Sequence, residues 1–346
     1  MNVIDVNVKN GYKVIVDNGI FDKIPEYALA LADYTTVTIV SDSNVAPLYI
    51  ERLKKGFLRA NKRVLTYVIE AGEQSKNLSN YAAILSFLAN NDFKRKDLLV
   101  ALGGGVVGDL TGFVASTYHR GVDFIQVPTT LLAGIDSSVG GKTAVDIKEG
   151  KNLVGAFYQP KGVFFDIETL NTLPEKEMIN GFGELVKYGI LMGGTLWKNL
   201  LSDNLSLENC IADSIRYKAE IVEKDEFDNG VRALLNLGHT LAHSVEKLSD
   251  YAVPHGLAVG YGIRRIAKAC QNNGLLQNSE YEQIINVLDK FSLTYIAPFS
   301  DNALIRASVK DKKAFADSIN IIVINAIGNC SIQKFKLDKL GEFFND

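Results

Sequence analysis

Over the first 150 residues, short apolar runs of strand length alternate with stretches whose apolar residues recur at the helical period. "YKVIVD" and "TTVTIVSD" read as strands, "VAPLYIERLKKGFLRANK" as a helix, "RVLTYVIEAGE" as a strand, "NLSNYAAILSFLANN" as a helix and "DLLVALGGG" as a strand again. A strand buried on both faces has no polar side to show, so it reads as a continuous apolar run. The alternation predicts a mostly parallel sheet covered by helices, and "VDFIQVPTTLL" adds a strand that runs into a loop.

After about residue 160 the pattern changes. "PEKEMINGFGELVKYGIL", "SLENCIADSIRYKAEIVEKDE", "RALLNLGHTLAHSVEKL", "GLAVGYGIRRIAKACQNNG" and "SEYEQIINVLDKF" follow one another with helical spacing, and "SINIIVINAIGNCSIQKF" resembles two short strands around a Gly-Asn turn. Glycine and proline in "GAFYQPKG" interrupt both patterns. The expected division is an α/β domain over residues 1–158 and an α-helical domain over residues 159–346.

The formal net charge is −3, so there is no global basic field for nucleic acid, and any anion must be met by a local cluster of cations. "MNVIDVNVKNGYKVIVDNG" alternates apolar and polar residues and is not a signal peptide, and no apolar run is long enough for a membrane span. Cys210, Cys270 and Cys330 stand far apart without C-x-x-C spacing. A reduced, cytoplasmic protein is the expectation.

"ALGGGVVGDL" places Gly103, Gly105 and Gly108 in the order G-x-G-x-x-G directly after an apolar strand. Such glycines let backbone N–H groups approach a phosphate, and a helix N-terminus adds partial positive charge. A tight strand-to-helix turn would also explain them, and the loop lies outside the first βα unit where a dinucleotide fingerprint usually falls. Polar strand ends at Asp42 and Asn44, Glu73 and Lys76, and Thr129 and Thr130 could complete a nucleotide cleft.

"GIDSSVGGKTAVDIKEGKN" holds Asp136, Ser137, Ser138, Gly140, Gly141 and Lys142, followed by Lys151 and Asn152. It is not a phosphate-binding loop of the ATPase type, because Asp136 occupies the position of that motif's first glycine. What remains is a run of small residues with two lysines, suited either to an anionic ligand or to a basic surface loop.

His239 and His243 are spaced i, i+4 and share one helix face. Thr240, Leu241 and Ala242 lie between them, so the glutamate of a zinc protease is missing. Arg232, Asn236, His239 and His243 step at four, three and four, which predicts one polar stripe along a single helix. A catalytic metal site needs about three protein ligands and an open position. His239 and His255 could supply two, and Glu184, with Lys187 one turn on, is a candidate third. Spacing alone does not single out Glu184, and a solvated helix face would also explain the stripe.

"GGGVVGDLTGFVASTYHRG", "PTTLLAGIDSSVGGKTAVD", "GKNLVGAFYQP", "LPEKEMINGFGELVKYG", "RALLNLGHTLAHSVE", "HGLAVGYG" and "KDKK" occur in the order seen in the 3-dehydroquinate synthase family, which this chain resembles from "SDSNV" to "KDKK". The resemblance implies an α/β N-terminal NAD-binding domain and an all-α C-terminal domain for metal and substrate. It implies zinc or cobalt on Glu184, His239 and His255. NAD contacts fall on Asp42, Glu73, Lys76, Gly104, Gly105, Asp109, Thr129, Thr130, Lys142, Lys151, Thr169 and Thr172. Catalytic roles fall on Lys142, Lys187, Asn152, His243, Arg232 and Asp136, and substrate contacts on Arg120, Lys151, Lys218, Asn236 and Lys312, favoured over Lys313.

The reaction implied converts 3-deoxy-D-arabino-heptulosonate 7-phosphate to 3-dehydroquinate and phosphate. Alcohol oxidation by NAD, phosphate elimination, hydride return and aldol closure follow in turn, in a homodimer. This chain departs from the common family pattern at Gly134 (glutamine), Ala144 (glycine) and Asp146 (asparagine). Rival readings are a cyclase acting on a carboxylate-free sugar phosphate, a metal-dependent NAD alcohol dehydrogenase, and a non-catalytic NAD-binding protein.

Overall fold

A computed structural model describes residues 1–310 and 317–344 of the 346-residue chain. Contacts divide it into two compact units, Met1–Leu173 with Lys218–Phe227, and Pro174–Tyr217 with Asp228–Asp346.

The first unit is built on a seven-stranded sheet. Its strands are β1 (Asn2–Val6), β2 (Tyr12–Asp17), β3 (Thr36–Asp42), β4 (Arg63–Ile69), β5 (Leu98–Gly103), β6 (Asp123–Pro128) and, after the hairpin β7 (Lys142–Ile147) and β8 (Gly150–Phe157), β9 (Gly162–Asp166). The order across the sheet is β1-β2-β9-β6-β5-β3-β4. Only the edge strand β1 runs antiparallel to its neighbour. Helices α1 (Ile24–Leu29), α2 (Ala46–Arg59), α3 (Leu78–Asn90) and α4 (Gly105–Thr117) connect the strands. Successive strand residues face opposite ways: Leu98, Val100 and Leu102 pack with Leu53 and Phe57 of α2, while Leu99 and Ala101 pack with Ile84, Leu88, Val107 and Leu110 of α3 and α4. That two-sided burial is why "LLVALG" has no polar side.

The expected division at residue 158 falls short. β9 lies inside the sheet between β2 and β6, so "GAFYQPKG" holds the end of β8, a short connection through Pro160 and the start of β9, all within one unit. The hairpin β7–β8 was not foreseen either. Its glycines and charged residues read as a loop: Val154 and Ala156 of β8 pack half-buried on the core while Leu153 and Phe157 face solvent, so apolar residues fall on both faces and no alternation marks the strand.

The second unit contains α5 (Glu175–Met192), α6 (Gly194–Leu201), the first half of α7 (Leu207–Lys224), α8 (His239–Leu248), α9 (His255–Asn272), α10 (Asn278–Lys290), α11 (Asp301–Lys310), the hairpin β10 (Ser318–Ala326) and β11 (Asn329–Lys336), and α12 (Leu340–Phe344). The hairpin matches the two strands read around the Gly-Asn turn.

Helix α5 meets the start of α9 almost backbone to backbone. The N–H of Gly256 donates to Asn180 Oδ1 at 2.6 Å, so a side chain of α5 caps the first turn of α9. A Cβ on Gly256 would stand 2.7 Å from the Asn180 carbonyl carbon and 2.9 Å from its Cα, and one on Gly183 would collide with the backbone of Gly256. Main chain cannot give way as a rotamer can. Gly256→Ala should therefore cost about 3 kcal/mol, the upper end of ordinary overpacking, read as a lower urea midpoint with an unchanged slope.

Candidate functional site

The glycine contact sets the neighbouring residues, Glu184 on α5 and His255 at the start of α9, side by side. His255 Nε2 lies 3.2 Å from Glu184 Oε1, and His239 Nε2, from the start of α8, lies 3.4 Å from the same oxygen. One ligand atom from each of Glu184, His239 and His255 falls within 4.8 Å of the others. Glu184 is fully buried, and its second oxygen is ion-paired with Lys187 one turn along α5.

Hydrogen-bond roles settle what such a cluster can hold. His239 Nδ1 lies 3.1 Å from the Leu237 carbonyl, which can only accept, so Nδ1 carries the proton in the neutral ring. Burial first, and the charge of Lys187 second, hold the His239 pKa well below its ordinary value. A neutral imidazole therefore turns its Nε2 lone pair toward a carboxylate oxygen. Two acceptors facing each other are satisfied by a cation between them, and two histidines with one carboxylate are a zinc-type donor set.

His255 stands between two carboxylates. Its Nδ1 is 3.2 Å from Glu246 Oε1. Burial opposes its charged form, but the hydrogen bonds to Glu184 and Glu246 outweigh burial and raise its pKa to about 10. A divalent cation would displace that proton from Nε2. Glu246 was missed in the sequence, although His239, His243 and Glu246 follow one another at helical spacing and a polar stripe extended by one step would have reached it.

The single stripe of Arg232, Asn236, His239 and His243 is not formed. Residues 231–236 make a 3-10 turn, Leu237 is extended, Gly238 is left-handed at φ 80°, and α8 begins only at His239. A Cβ at Gly238 would meet Val259 O and Ile263 N of α9 at 3.0 Å, so the break lets the chain pass close to that helix. It also turns the Leu237 carbonyl back onto His239. His243 stays with the cluster, its ring centroid 5.5 Å from that of His239 and 6.4 Å from that of His255. Arg232 is buried, whereas Asn236 and His243 are exposed.

In the first unit the glycine loop occupies a position its place in the sequence concealed. From β3 the chain goes to β4 on one side and then to β5 on the other. The crevice at the carboxyl ends of β3 and β5 is thus the topological switch point, where such sheets bind ligands. Asp42 ends β3, and a Cβ on Gly103 at the end of β5 would lie 3.3 Å from its carboxylate. Gly104 starts α4 without a side-chain cap, leaving first-turn N–H groups for an anion. Side chains at Gly104 and Gly105 would press on Thr130 Cγ2 at 3.2 Å and Ser137 Oγ at 3.0 Å. Thr129 Oγ1 and Ser137 Oγ are buried without a hydrogen-bond partner among the described residues, as donors awaiting a phosphate would be.

Lys76, 4% exposed, gathers the next group of expected residues: its Nζ lies 2.8 Å from Glu73, 3.4 Å from Asp109 and 3.9 Å from Asp146. Burial lifts the Asp109 pKa to about 6, with Lys76 pulling the other way. Asp146, the departure to a carboxylate, accepts the Asn152 N–H at 2.8 Å, a bond an asparagine oxygen could also accept. At Gly134 a Cβ would run into the Phe165 ring. Thr172 Oγ1 and Tyr49 Oη are 2.5 Å apart, and the Thr169 hydroxyl donates to the Asp166 carbonyl at 2.7 Å.

The two lysines of the hairpin are not adjacent. Lys142 opens β7 opposite Phe157, and Lys151 lies beside the turn at the other end, roughly 13 Å along the strand at ~3.3 Å per residue. Lys151 Nζ is 3.9 Å from Glu73. Lys218 is paired with both the carboxylate and the carbonyl of Asp136. Arg120 is exposed on a turn at φ 64°, joined to no other expected residue by a hydrogen bond or ion pair among the described residues. Lys312 and Lys313 lie outside the described residues.

Residues 66–180 match the family model for the 3-dehydroquinate synthase N-terminal region, and residues 181–314 that for its C-terminal region. A 3-dehydroquinate synthase of Streptococcus gordonii is 41% identical over 341 residues, covering 96% of each chain. Among solved structures, a 2-deoxy-scyllo-inosose synthase complexed with carbaglucose-6-phosphate, NAD+ and Co2+ superposes with a TM-score of 0.89 at 22% identity over 99% of both chains. A 2-epi-5-epi-valiolone synthase from Streptomyces hygroscopicus with NAD+ and Zn2+ bound gives 0.84 at 23% identity over 96% of this chain and 95% of that one. At such identities the two structures speak for the fold.

Proposed function

The chain belongs to the 3-dehydroquinate synthase family, and from that premise we propose that it converts 3-deoxy-D-arabino-heptulosonate 7-phosphate to 3-dehydroquinate and phosphate in the shikimate pathway. It does so as a carbon–oxygen lyase that uses NAD and a divalent metal, zinc or cobalt. The observation that carries this reading is the convergence of Glu184, His239 and His255 on one point, with the Nε2 lone pair of His239 turned toward the carboxylate.

Those three residues would hold the metal. Gly104, Gly105, Thr129 and Thr130 would cradle the pyrophosphate of NAD, with Asp42, Glu73, Lys76, Asp109, Thr169 and Thr172 about the rest of it. When bound, NAD takes up and returns a hydride and the metal polarises the reacting oxygen, so the conversion is redox-neutral overall. The chain's own groups manage charge and position. A doubly anionic phosphate with a carboxylate calls for several cations, and Lys142, Lys151 and Lys218 with Arg232 supply them, the planar guanidinium suiting the carboxylate. His243, exposed with its ring 5.5 Å from that of His239 and 6.4 Å from that of His255, would exchange a proton with substrate. Lys187 is ion-paired with Glu184. Asp136, Asn152, Asn236, Arg120 and Lys312 complete the substrate contacts.

The test is phosphate release from 3-deoxy-D-arabino-heptulosonate 7-phosphate with substoichiometric NAD and zinc or cobalt, while absorbance is followed for NADH. Many turnovers per NAD without net NADH support the reading. Steady NADH accumulation would make the chain a dehydrogenase, and no release would turn attention to sugar phosphates without a carboxylate. The same reading makes it a cytoplasmic protein and a homodimer, and light scattering on the purified protein checks the second of these.

A further inference from the structure

We propose that Glu246 is a positioning residue of the metal centre, its carboxylate holding the His255 imidazole by Nδ1 so that Nε2 faces Glu184. This rests on the reading of Glu184, His239 and His255 as metal ligands.

The two ligand histidines have the same problem. A ring nitrogen binds metal only when its lone pair points at the ion, and the other nitrogen's hydrogen bond decides which tautomer and which rotation the ring adopts. His239 is held by the Leu237 carbonyl at 3.1 Å. Among the described residues, no carbonyl is hydrogen-bonded to His255 Nδ1. His255 is the first residue of α9, where no preceding turn of that helix packs on it, and its side chain is 31% exposed. Its Nδ1 instead meets Glu246 Oε1 at 3.2 Å, on a residue 8% exposed. A carboxylate accepts and cannot donate, so in the metal-bound state the proton sits on Nδ1 and the Nε2 lone pair is free.

The backbone reinforces the arrangement. Glu246 stands seven residues after His239 on α8, two turns along the same face. The connection to α9 is tied back onto Glu246: its carbonyl accepts from Tyr251 N at 2.7 Å and from Ser249 Oγ at 3.0 Å, and Ser249 Oγ accepts from Val253 N at 3.4 Å. One helix thus presents a ligand and also the brace for the ligand that opens the next helix. The brace is anionic where that of His239 is neutral, which makes His255 the stronger donor of the pair.

The full chain, stripped of metal by chelator dialysis, is titrated with Co2+ in competition with a chelating dye, as wild type, Glu246→Ala, Glu246→Gln and His255→Ala. The visible absorption of bound Co2+ and the far-UV circular dichroism are recorded alongside. Glu246→Ala is expected to weaken Co2+ binding by about ten- to a hundredfold, the usual effect of losing such a partner, and to shift the Co2+ absorption bands. Glu246→Gln should fall between, since an amide oxygen still accepts from Nδ1 but carries no charge. Wild-type affinity and an unchanged Co2+ spectrum in both Glu246 variants, with His255→Ala impaired, would overturn the role of Glu246 alone. Wild-type affinity in His255→Ala would remove the metal-centre reading and this inference with it. If Glu246→Ala loses its native circular dichroism, Glu246→Gln decides by the same two readouts.

Discussion

His255→Ala should leave a chain that retains no stoichiometric metal after dialysis and turns over on the order of 10³-fold more slowly, ~4 kcal/mol of lost transition-state stabilisation. Three protein ligands are the working minimum for a catalytic zinc-type site. Removing His255 leaves one imidazole and one carboxylate, with Lys187 already paired to that carboxylate. Without the metal, nothing in the ligand set supplies a Lewis acid. The change also takes from the carboxylates of Glu184 and Glu246 the imidazole that each lies 3.2 Å from, so the metal-free variant should melt earlier than metal-free wild type. Atomic absorption on dialysed protein, with circular dichroism as the fold control, checks both points. Wild-type metal content in folded His255→Ala protein would remove the ligand assignment.

Lys142→Ala should lower kcat/KM for phosphate release by 10²- to 10³-fold, about 3–4 kcal/mol, with little change in stability. The residue is exposed at the start of β7, and its position is dictated by backbone. Gly140 N donates to Tyr12 Oη at 3.0 Å, Gly141 takes a left-handed φ of 70°, and its carbonyl accepts from Tyr158 N at 2.7 Å. An alanine keeps all of these and removes the side chain beyond Cβ, the ammonium with it. Lys142→Arg should recover part of the loss by keeping the charge. Steady-state phosphate release with a urea melt alongside measures the two effects. A change in kcat/KM of less than threefold would take Lys142 out of the anion site.

Much of this architecture was legible because its signals are local. The continuous apolar run "LLVALG" marks a strand covered on both faces, and the pattern of "PEKEMINGFGELVKYGIL" marks a helix with Glu184 and Lys187 one turn apart, both as found. The candidate ligands His239 and His255 could be named from residue type, and the resemblance to a family supplied Glu184 as their partner. Other readings failed where a local pattern had two outcomes. "RALLNLGHTLAHSVEKL" keeps helical spacing throughout, yet Gly238 breaks it, because the close pass against Val259 and Ile263 favours a left-handed residue there. The hairpin of Lys142 and Lys151 buries Val145 and half-buries Val154 and Ala156 but leaves Leu153 and Phe157 exposed, so its sequence shows no clean alternation of apolar and polar residues.

By itself, then, the sequence determined most of the elements, the β7–β8 hairpin and the break before α8 apart: which segments are strands or helices, which are apolar enough to be buried, and which side chains have the chemistry to bind a metal or an anion. These follow from periodicity and residue type, and both act within a turn or two of the chain. Tertiary structure alone decided which of those side chains meet. Glu184 and His255 are 71 residues apart in sequence and stand together because two helices lacking Cβ atoms at Gly183 and Gly256 can approach to backbone contact. The glycine loop became a credible phosphate cradle only when β5 proved to lie across the switch point from β4. Glu246 acquired its place beside His255 only when the connection between α8 and α9 folded back. Each of these is a property of a pair of distant segments, and neither member of the pair carries it alone.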